Sequence, residues 1–311
     1  TAYMTAETTG CLRKAAVSPT EAASDMYELY GVYKDISAHG AGCSCNAAKQ
    51  QGQDGEHAED ASDPVHRGVF VTFEGGEGAG KTTHISILAE VLESLGREVV
   101  RLREPGGTSI GESLRSIVLD PSNKAMCDEC ELLIYEAARA QIVHEVIAPS
   151  LDRGAVVLCD RFYDSTVAYQ GGGRGMDALF IDRANAFACQ GIRPDRTILL
   201  VPPSVEGGLD RAVQFGQADR LESEGARFHE RVRAAFATLS RNDPQRVRTV
   251  ESASAISDTA RAVFCELRDL FPFEAFLRDE TFFRRFDAYA GRGEKAVFGG
   301  GCASFSDKEV R

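Results

Sequence analysis

Gly75-Gly76-Glu77-Gly78-Ala79-Gly80-Lys81-Thr82 fits the pattern G-x-x-x-x-G-K-[ST], and Thr83 leads on from it. Just before it, Gly68 to Phe73 is a short run of β-branched and aromatic residues that reads as a strand. Just after it, Ile85, Leu88, Val91, Leu92 and Leu95 share one helical face, and Gly96 ends that pattern as a C-cap would. A loop of this kind between strand and helix binds phosphate. Its glycines let successive backbone N–H groups point inward, and the helix N-terminus adds positive partial charge. Lys81 is placed to reach the β- and γ-phosphates of a nucleotide, and Thr82 to ligate Mg²⁺.

The same alternation continues through residues 67–271. Further strands are expected at Arg97–Leu102, Ala155–Asp160, Arg196–Val201 and Arg246–Val250, and long helices at Glu131–Asp152 and Leu221–Leu239. Strands alternating with helices predict an α/β domain whose helices cover a mostly parallel sheet.

The 311 residues, 43% of them hydrophobic, are enough to bury a core, yet no apolar run approaches the ~20 residues that span a bilayer. A net charge of −12 leaves no general basic surface for nucleic acid or anionic lipid, so neither is expected as a partner. Nine cysteines, an odd number with no hydrophobic leader in view, argue for free thiols in a reducing cytoplasm. The chain starts at Thr1 rather than Met, which points to a fragment or a processed product. Residues 1–66 set only Arg13, Lys14, Lys34 and Lys49 against ten acids, and His39 to Asp63 offers almost nothing large and apolar to bury. This stretch reads as an acidic, flexible N-terminal extension, with Tyr27, Tyr30 and Tyr33 too few to mark a domain. In the C-terminal extension, 272–311, Phe282, Phe286 and Tyr289 suit an amphipathic helix packed on a core, ahead of a Gly299-Gly300-Gly301 tail.

Val156-Val157-Leu158-Cys159-Asp160 is an apolar strand ending in an acid, where a carboxylate can serve the Mg²⁺ of a phosphate loop. A GTPase is excluded: the chain has no Asp-x-x-Gly, and Asn123-Lys124-Ala125-Met126 lacks the acid of a guanine-reading motif. Arg103, Arg139, Arg161, Arg211 and Arg220 are more guanidinium groups than one nucleotide needs, which suggests a second phosphorylated substrate. Tyr135 and Arg139 lie four apart on a helix. That spacing fits either an aromatic plate for a base beside a cation for its phosphate, or a core tyrosine with an arginine at its rim. Tyr169 and Gln170 fall in a polar, glycine-rich stretch after a strand, a common place for substrate-reading side chains.

Taken in order, Phe73-Glu74-Gly75-Gly76-Glu77-Gly78-Ala79-Gly80-Lys81-Thr82-Thr83, Arg103-Glu104-Pro105-Gly106-Gly107-Thr108, Tyr135-x-x-x-Arg139-x-Gln141, Asp160-Arg161-Phe162 and Asp219-Arg220-Leu221-Glu222 closely resemble the bacterial thymidylate kinases. The resemblance covers about residues 67–271. It implies a P-loop NTPase three-layer α/β/α fold with a five-stranded parallel sheet and a helical lid, usually in a homodimer. It implies transfer of the γ-phosphoryl group of ATP to dTMP, with Mg²⁺. On the same resemblance, Gly75 to Thr83 are expected to hold ATP, and Arg103 and Arg161 the dTMP phosphate or the group in transfer. Tyr135 is expected to stack on thymine beside Arg139, while Thr166, Tyr169 and Gln170 line the deoxyribose and base. Glu74, Asp160 and Glu222 correspond to acids near Mg²⁺ and the sugar 3′-hydroxyl, and Arg211 and Arg220 to lid arginines.

Three features depart from the wider pattern. Some thymidylate kinases carry a basic residue in the loop where this chain has Gly76-Glu77-Gly78-Ala79, so the missing charge must come from elsewhere; Val213-Gln214-Phe215-Gly216-Gln217 is less basic than the lid of the bacterial group; and Tyr135 replaces an expected Phe. No Ser-His-Asp arrangement is needed, because a phosphomonoester with a second pKa of about 6 is already mostly ionised at neutral pH. Two other readings stay open on sequence grounds: a kinase of another pyrimidine monophosphate, and a nucleotide-binding module without turnover. Cys43-x-Cys45 and Cys127-x-x-Cys130 have the spacing of zinc ligands, but free thiols are the simpler reading.

Overall fold

The central strand β1 (Val69–Glu74) is flanked on both sides, and its residues from Phe70 onward are all buried. A computed structural model describes residues 67–202, 219–279 and 281–289, all within the unit Glu59–Arg311. Arg211, the expected lid stretch before Asp219, Tyr27, Tyr30, Tyr33, Cys43, Cys45 and the Gly299–Gly301 tail lie outside the described residues. With β2 (Val99–Arg103), β3 (Val156–Asp160), β4 (Arg196–Val201) and β5 (Val247–Glu251), β1 forms one sheet in the order β2-β3-β1-β4-β5. All four pairings are parallel, with Phe73 opposite Asp160 and Glu74 opposite Leu199. Strands of such a sheet are covered on both faces, which is why they appear in the sequence as short continuous apolar runs.

The helices are α1 (Lys81–Ser94), α2 (Ser109–Leu119), α3 (Asp128–Ile142), α4 (Ala148–Asp152), α5 (Tyr163–Thr166), α6 (Ala178–Cys189), α7 (Ala226–Asn242), α8 (Ile256–Glu266) and α9 (Glu274–Arg278). One face of the sheet packs against α1 and α8 through Phe73, Ile85, Leu88, Leu158, Ile198 and Phe264. The other face packs Phe70, Val157 and Phe162 against Ile142, Ile147 and Cys189 of the α3–α4 and α6 layer.

Several elements differ from expectation for identifiable reasons. The second long helix runs from Asp128 to Asp152 but passes through a π-helical segment at Val143–Ile147. The third begins at Ala226 rather than Leu221, because Asp219 Oδ1 accepts from Leu221 N and Glu222 N, both at 2.8 Å, and holds those residues in a turn. The glycine-rich stretch after α5 forms a π-helix, Val167–Gly173. Its glycines allow α7 to approach: a Cβ on Gly172 would lie 2.6 Å from that of Ala235, and one on Gly173 2.5 Å from the Phe228 ring. The aromatic stretch near the end splits into α9 and a 3₁₀ turn (Phe283–Tyr289), since Asp279 Oδ1 accepts from Thr281 N and Phe282 N. Phe273, Phe283 and Phe286 nevertheless seal the same core as α1 and α8.

β1 ends in Glu74, whose fully buried carboxyl accepts from Phe162 N at 2.8 Å and Ser165 Oγ at 2.6 Å. Burial, and then the nearby Asp164, raise it to about 8 from an ordinary 4.5. Between those values the folded chain keeps a proton that the unfolded chain has lost, so this group's contribution to stability falls as pH rises through the window. The thermal midpoint is expected to decline from pH 5 to pH 8, and less steeply in Glu74→Gln. Glu104, raised to about 7 by burial, leaves a residual slope. An equal slope in both proteins by scanning calorimetry would refute this assignment.

Candidate active site

The loop between β1 and α1 curls through positive φ at Gly75 (132°), Gly78 (65°) and Gly80 (91°). Glycine is required at the first of these, because a Cβ there would sit 2.2 Å from the Leu200 carbonyl oxygen. The curl is held from outside. Ser252 Oγ donates to Ala79 O at 3.1 Å, and His84 Nδ1 lies 2.8 Å from Gly80 O. Lys81 folds back over the loop and donates to Gly76 O at 3.1 Å. Thr82 Oγ1 donates to Asp160 Oδ2 at 2.9 Å, joining the first turn of α1 to the end of β3, and Thr83 follows in the same turn. A hydroxyl and a carboxylate converging beside a phosphate loop suit Mg²⁺, which takes few protein oxygens and completes its shell with water and phosphate.

Beside the loop opens a cavity of about 440 Å³. Glu77, Lys81, Thr82, Asp160 and Arg161 line it beside the loop, and Tyr135, Arg139, Thr166, Tyr169 and Gln170 complete this part of its wall. Arg161 stands just past β3 with φ +70°, a strained conformation for a side chain of this size. Its guanidinium donates to Gly75 O at 3.1 Å, lies 5.1 Å from the centre of the Tyr169 ring and pairs with Glu77. Burial pushes the Glu77 carboxyl up, but Arg161 and Lys81 outweigh it and hold Glu77 below its usual range. The acid inside the loop is therefore neutralised by Arg161, just past β3.

Arg139 is buried, with Nε 3.0 Å and NH2 2.8 Å from Glu104 Oε2. Its NH1 donates to Glu136 Oε1 (2.7 Å), Asn185 Oδ1 (2.9 Å) and Thr166 Oγ1 (3.0 Å). Two carboxylates thus balance one guanidinium, leaving a fixed donor rather than a free cation. Tyr135, one helical turn earlier, is partly buried on the cavity wall.

Arg103, the last residue of β2, pairs with Glu112 at 3.2 Å in an exposed position on the cavity edge. Arg115, which no motif singles out in the sequence, lines the same edge and donates to Pro105 O at 2.9 Å. Burial and then the like charge of Arg103 pull its guanidinium below the usual value. Two guanidinium groups that disfavour each other make a place for a dianion.

Two expected site residues lie elsewhere. Glu74 does not line the cavity, because Phe162 N and Ser165 Oγ take its carboxyl. Arg220 does not line it either: Nε donates to Val118 O at 3.0 Å, and NH2 pairs with Glu131. Glu222 does line the cavity, accepting from Asp219 N at 3.0 Å, and burial raises its carboxyl. Cys127 and Cys130 are exposed free thiols at the start of α3.

The family described as Thymidylate kinase matches residues 73–263. Thymidylate kinase of Geobacter sulfurreducens is 50% identical over 202 residues, covering 63% of this chain and 94% of that protein. Thymidylate kinase of Pelobacter propionicus is 46% identical over 206 residues, 64% of this chain and 94% of that one. The crystal structure of thymidylate kinase from Ehrlichia chaffeensis is 32% identical, with a TM-score of 0.54, and covers 65% of this chain and 99% of its own. The chain belongs to the thymidylate kinase family.

Proposed function

We propose that the cavity holds dTMP with its phosphate toward Arg103, Arg115 and Arg161, while the loop Gly75–Thr83 holds ATP. As a member of its family the chain phosphorylates dTMP with ATP and Mg²⁺, giving dTDP and ADP. The observation that carries the residue roles is the Thr82–Asp160 contact beside Lys81, at the end of a cavity walled by Tyr135 and Arg139.

The residues divide the work by charge. Mg²⁺, held by Thr82 and Asp160, supplies neutralisation of the donor phosphates when bound. Lys81 leaves its own loop carbonyls to meet the β- and γ-phosphates. Arg103 and Arg115 align the acceptor phosphate, whose oxygen is ionised at neutral pH and needs no general base. Arg161, fixed over Tyr169, lies between the two substrates. Tyr135 supplies the plate for thymine, and Tyr169 the wall for the deoxyribose. Membership of the family disfavours another pyrimidine monophosphate as acceptor, and the assembly of Lys81, Thr82 and Asp160 disfavours a module without turnover.

A homodimer is part of the same reading. Phe187 (85% exposed) and Phe180 (52%) on α6 and Leu133 (57%) on α3 are large apolar side chains open to water. A reducing cytoplasm is supported by Cys127, Cys130, Cys159, Cys189 and Cys265, all free thiols. Among the described residues no helix is long and apolar enough to cross a membrane.

Three outcomes are expected. Lys81→Ala abolishes ADP release from Mg-ATP with dTMP, about 10³-fold or more, while the fold melts as before; residual turnover within tenfold of the parent would refute the role of Lys81. Arg115→Ala raises KM for dTMP about tenfold or more and leaves KM for ATP unchanged; steady-state kinetics showing the reverse would assign Arg115 to the donor. Phe187→Glu halves the mass measured by light scattering, and an unchanged mass removes α6 from the interface.

A further inference from the structure

Glu131 in α3 is fully buried and takes no part in the transfer just described. Its Oε1 accepts from Gln170 Nε2 at 2.7 Å and Arg174 Nε at 3.2 Å. Its Oε2 accepts from Arg174 NH2 at 2.9 Å and is paired with Arg220. Burial pushes this carboxyl up, but Arg174, Gln170 and Arg220 more than offset it and hold it below the usual range. At neutral pH it is a carboxylate, which accepts hydrogen bonds and donates none.

That property fixes the orientation of an amide. Gln170 is 1% exposed and lines the cavity. Its nitrogen must face Glu131, since an amide oxygen set against a carboxylate would be repelled, so its carbonyl oxygen faces away from Glu131. No described residue donates to that oxygen, and it is not among the orphan atoms sealed in the core, as Glu104 Oε1 is. On the same cavity wall, Thr166 Oγ1 accepts from Arg139 and keeps its own proton to donate. The wall therefore offers an acceptor at Gln170 and donors at Thr166 and Arg139. Thymine and uracil present N3–H flanked by carbonyl oxygens, which matches this set. Cytosine presents a bare N3 flanked by an amino group, which opposes it.

We propose that Glu131 is a positioning residue: by holding the Gln170 amide nitrogen it keeps Gln170 Oε1 on the cavity side, so that the site selects pyrimidine monophosphates carrying N3–H over those with a bare N3. The inference rests on the cavity being the dTMP site.

The test compares kcat/KM for dTMP, dUMP and dCMP in the parent, Glu131→Gln, Gln170→Met and the double variant. Glu131→Gln frees the amide to rotate. It is expected to narrow the preference for dTMP over dCMP about tenfold or more, mainly through the acceptor KM, with KM for ATP unchanged. Gln170→Met is expected to narrow it likewise, and the double variant no further than Gln170→Met alone. The dTMP to dUMP ratio stays fixed in all of them, because both bases carry N3–H. Parallel losses for dTMP and dCMP in Glu131→Gln, or further narrowing in the double variant, would overturn the proposal. If Glu131→Gln does not fold, Gln170→Met decides alone, since it leaves the Glu131–arginine pairs intact; an unchanged dTMP to dCMP ratio there also overturns it. An inactive parent would refute the substrate reading and the proposal together, whereas an active parent with unmoved ratios refutes the proposal only.

Discussion

The whole site depends on β1 and β3 lying side by side in parallel, with Phe73 opposite Asp160. That register brings the end of one strand, where the phosphate loop begins, next to the end of the other, where the acid stands. Thr82 then meets Asp160 at hydrogen-bond distance, and Arg161, one residue beyond, reaches back to Gly75 O and Glu77. A slip of one residue in either strand would turn Asp160 to the opposite face of the sheet and abolish both contacts. The register is secured by the buried apolar residues of β1 from Phe70 onward and of β3, and by Glu74, which ties the end of β1 to Phe162 and Ser165 just after β3.

Charge in the cavity is distributed by a second constraint. A buried guanidinium without a partner costs several kcal/mol. Most arginines near the cavity accordingly come with acids: Arg161 with Glu77, Arg139 with Glu104 and Glu136, Arg174 and Arg220 with Glu131. Such pairs supply shape and fixed donors while adding little net field. Net positive potential is left to Lys81, to the inward N–H groups of the loop and to the Arg103–Arg115 edge, where two guanidinium groups stand beside the single carboxylate of Glu112. A site with every arginine unpaired would hold polyanions more tightly and would lose the geometry that aligns them.

The sequence made legible whatever depends on local periodicity or on a run of fixed spacing. The phosphate loop, the five strands, the apolar stripe of α1 and the strand-end acid Asp160 all stand close to where they were expected. What escaped depends on contacts across long separations. Arg115 is one arginine among many until α2 places it beside Arg103. Glu131 is a helix acid until Arg174 and Arg220 arrive from 43 and 89 residues away. Arg220 and Glu74 are charged residues in recognisable motifs, but their motifs do not reveal that buried partners take them out of the cavity. Gly172 and Gly173 marked a glycine-rich stretch without revealing its form, because glycine reports only that a side chain is excluded. The side chains excluding it, on Ala235 and Phe228, belong to a helix more than fifty residues on.

A chain of net charge −12 that binds two polyanions is no contradiction once distance is considered. Surface acids are screened over about 8 Å at physiological ionic strength, whereas groups held within a partly buried cavity act through a medium of much lower polarisability. The field that a phosphate meets is set by the few groups closest to it. Glu77, the acid inside the loop, is cancelled by Arg161, and Glu131 by two arginines. Among the described residues, Glu90, Glu93, Glu129 and Glu230 are exposed on helices, where they repel other copies of the chain and nucleic acid more than they repel a bound nucleotide. Local neutralisation at the cavity therefore permits an acidic exterior without weakening the substrate site.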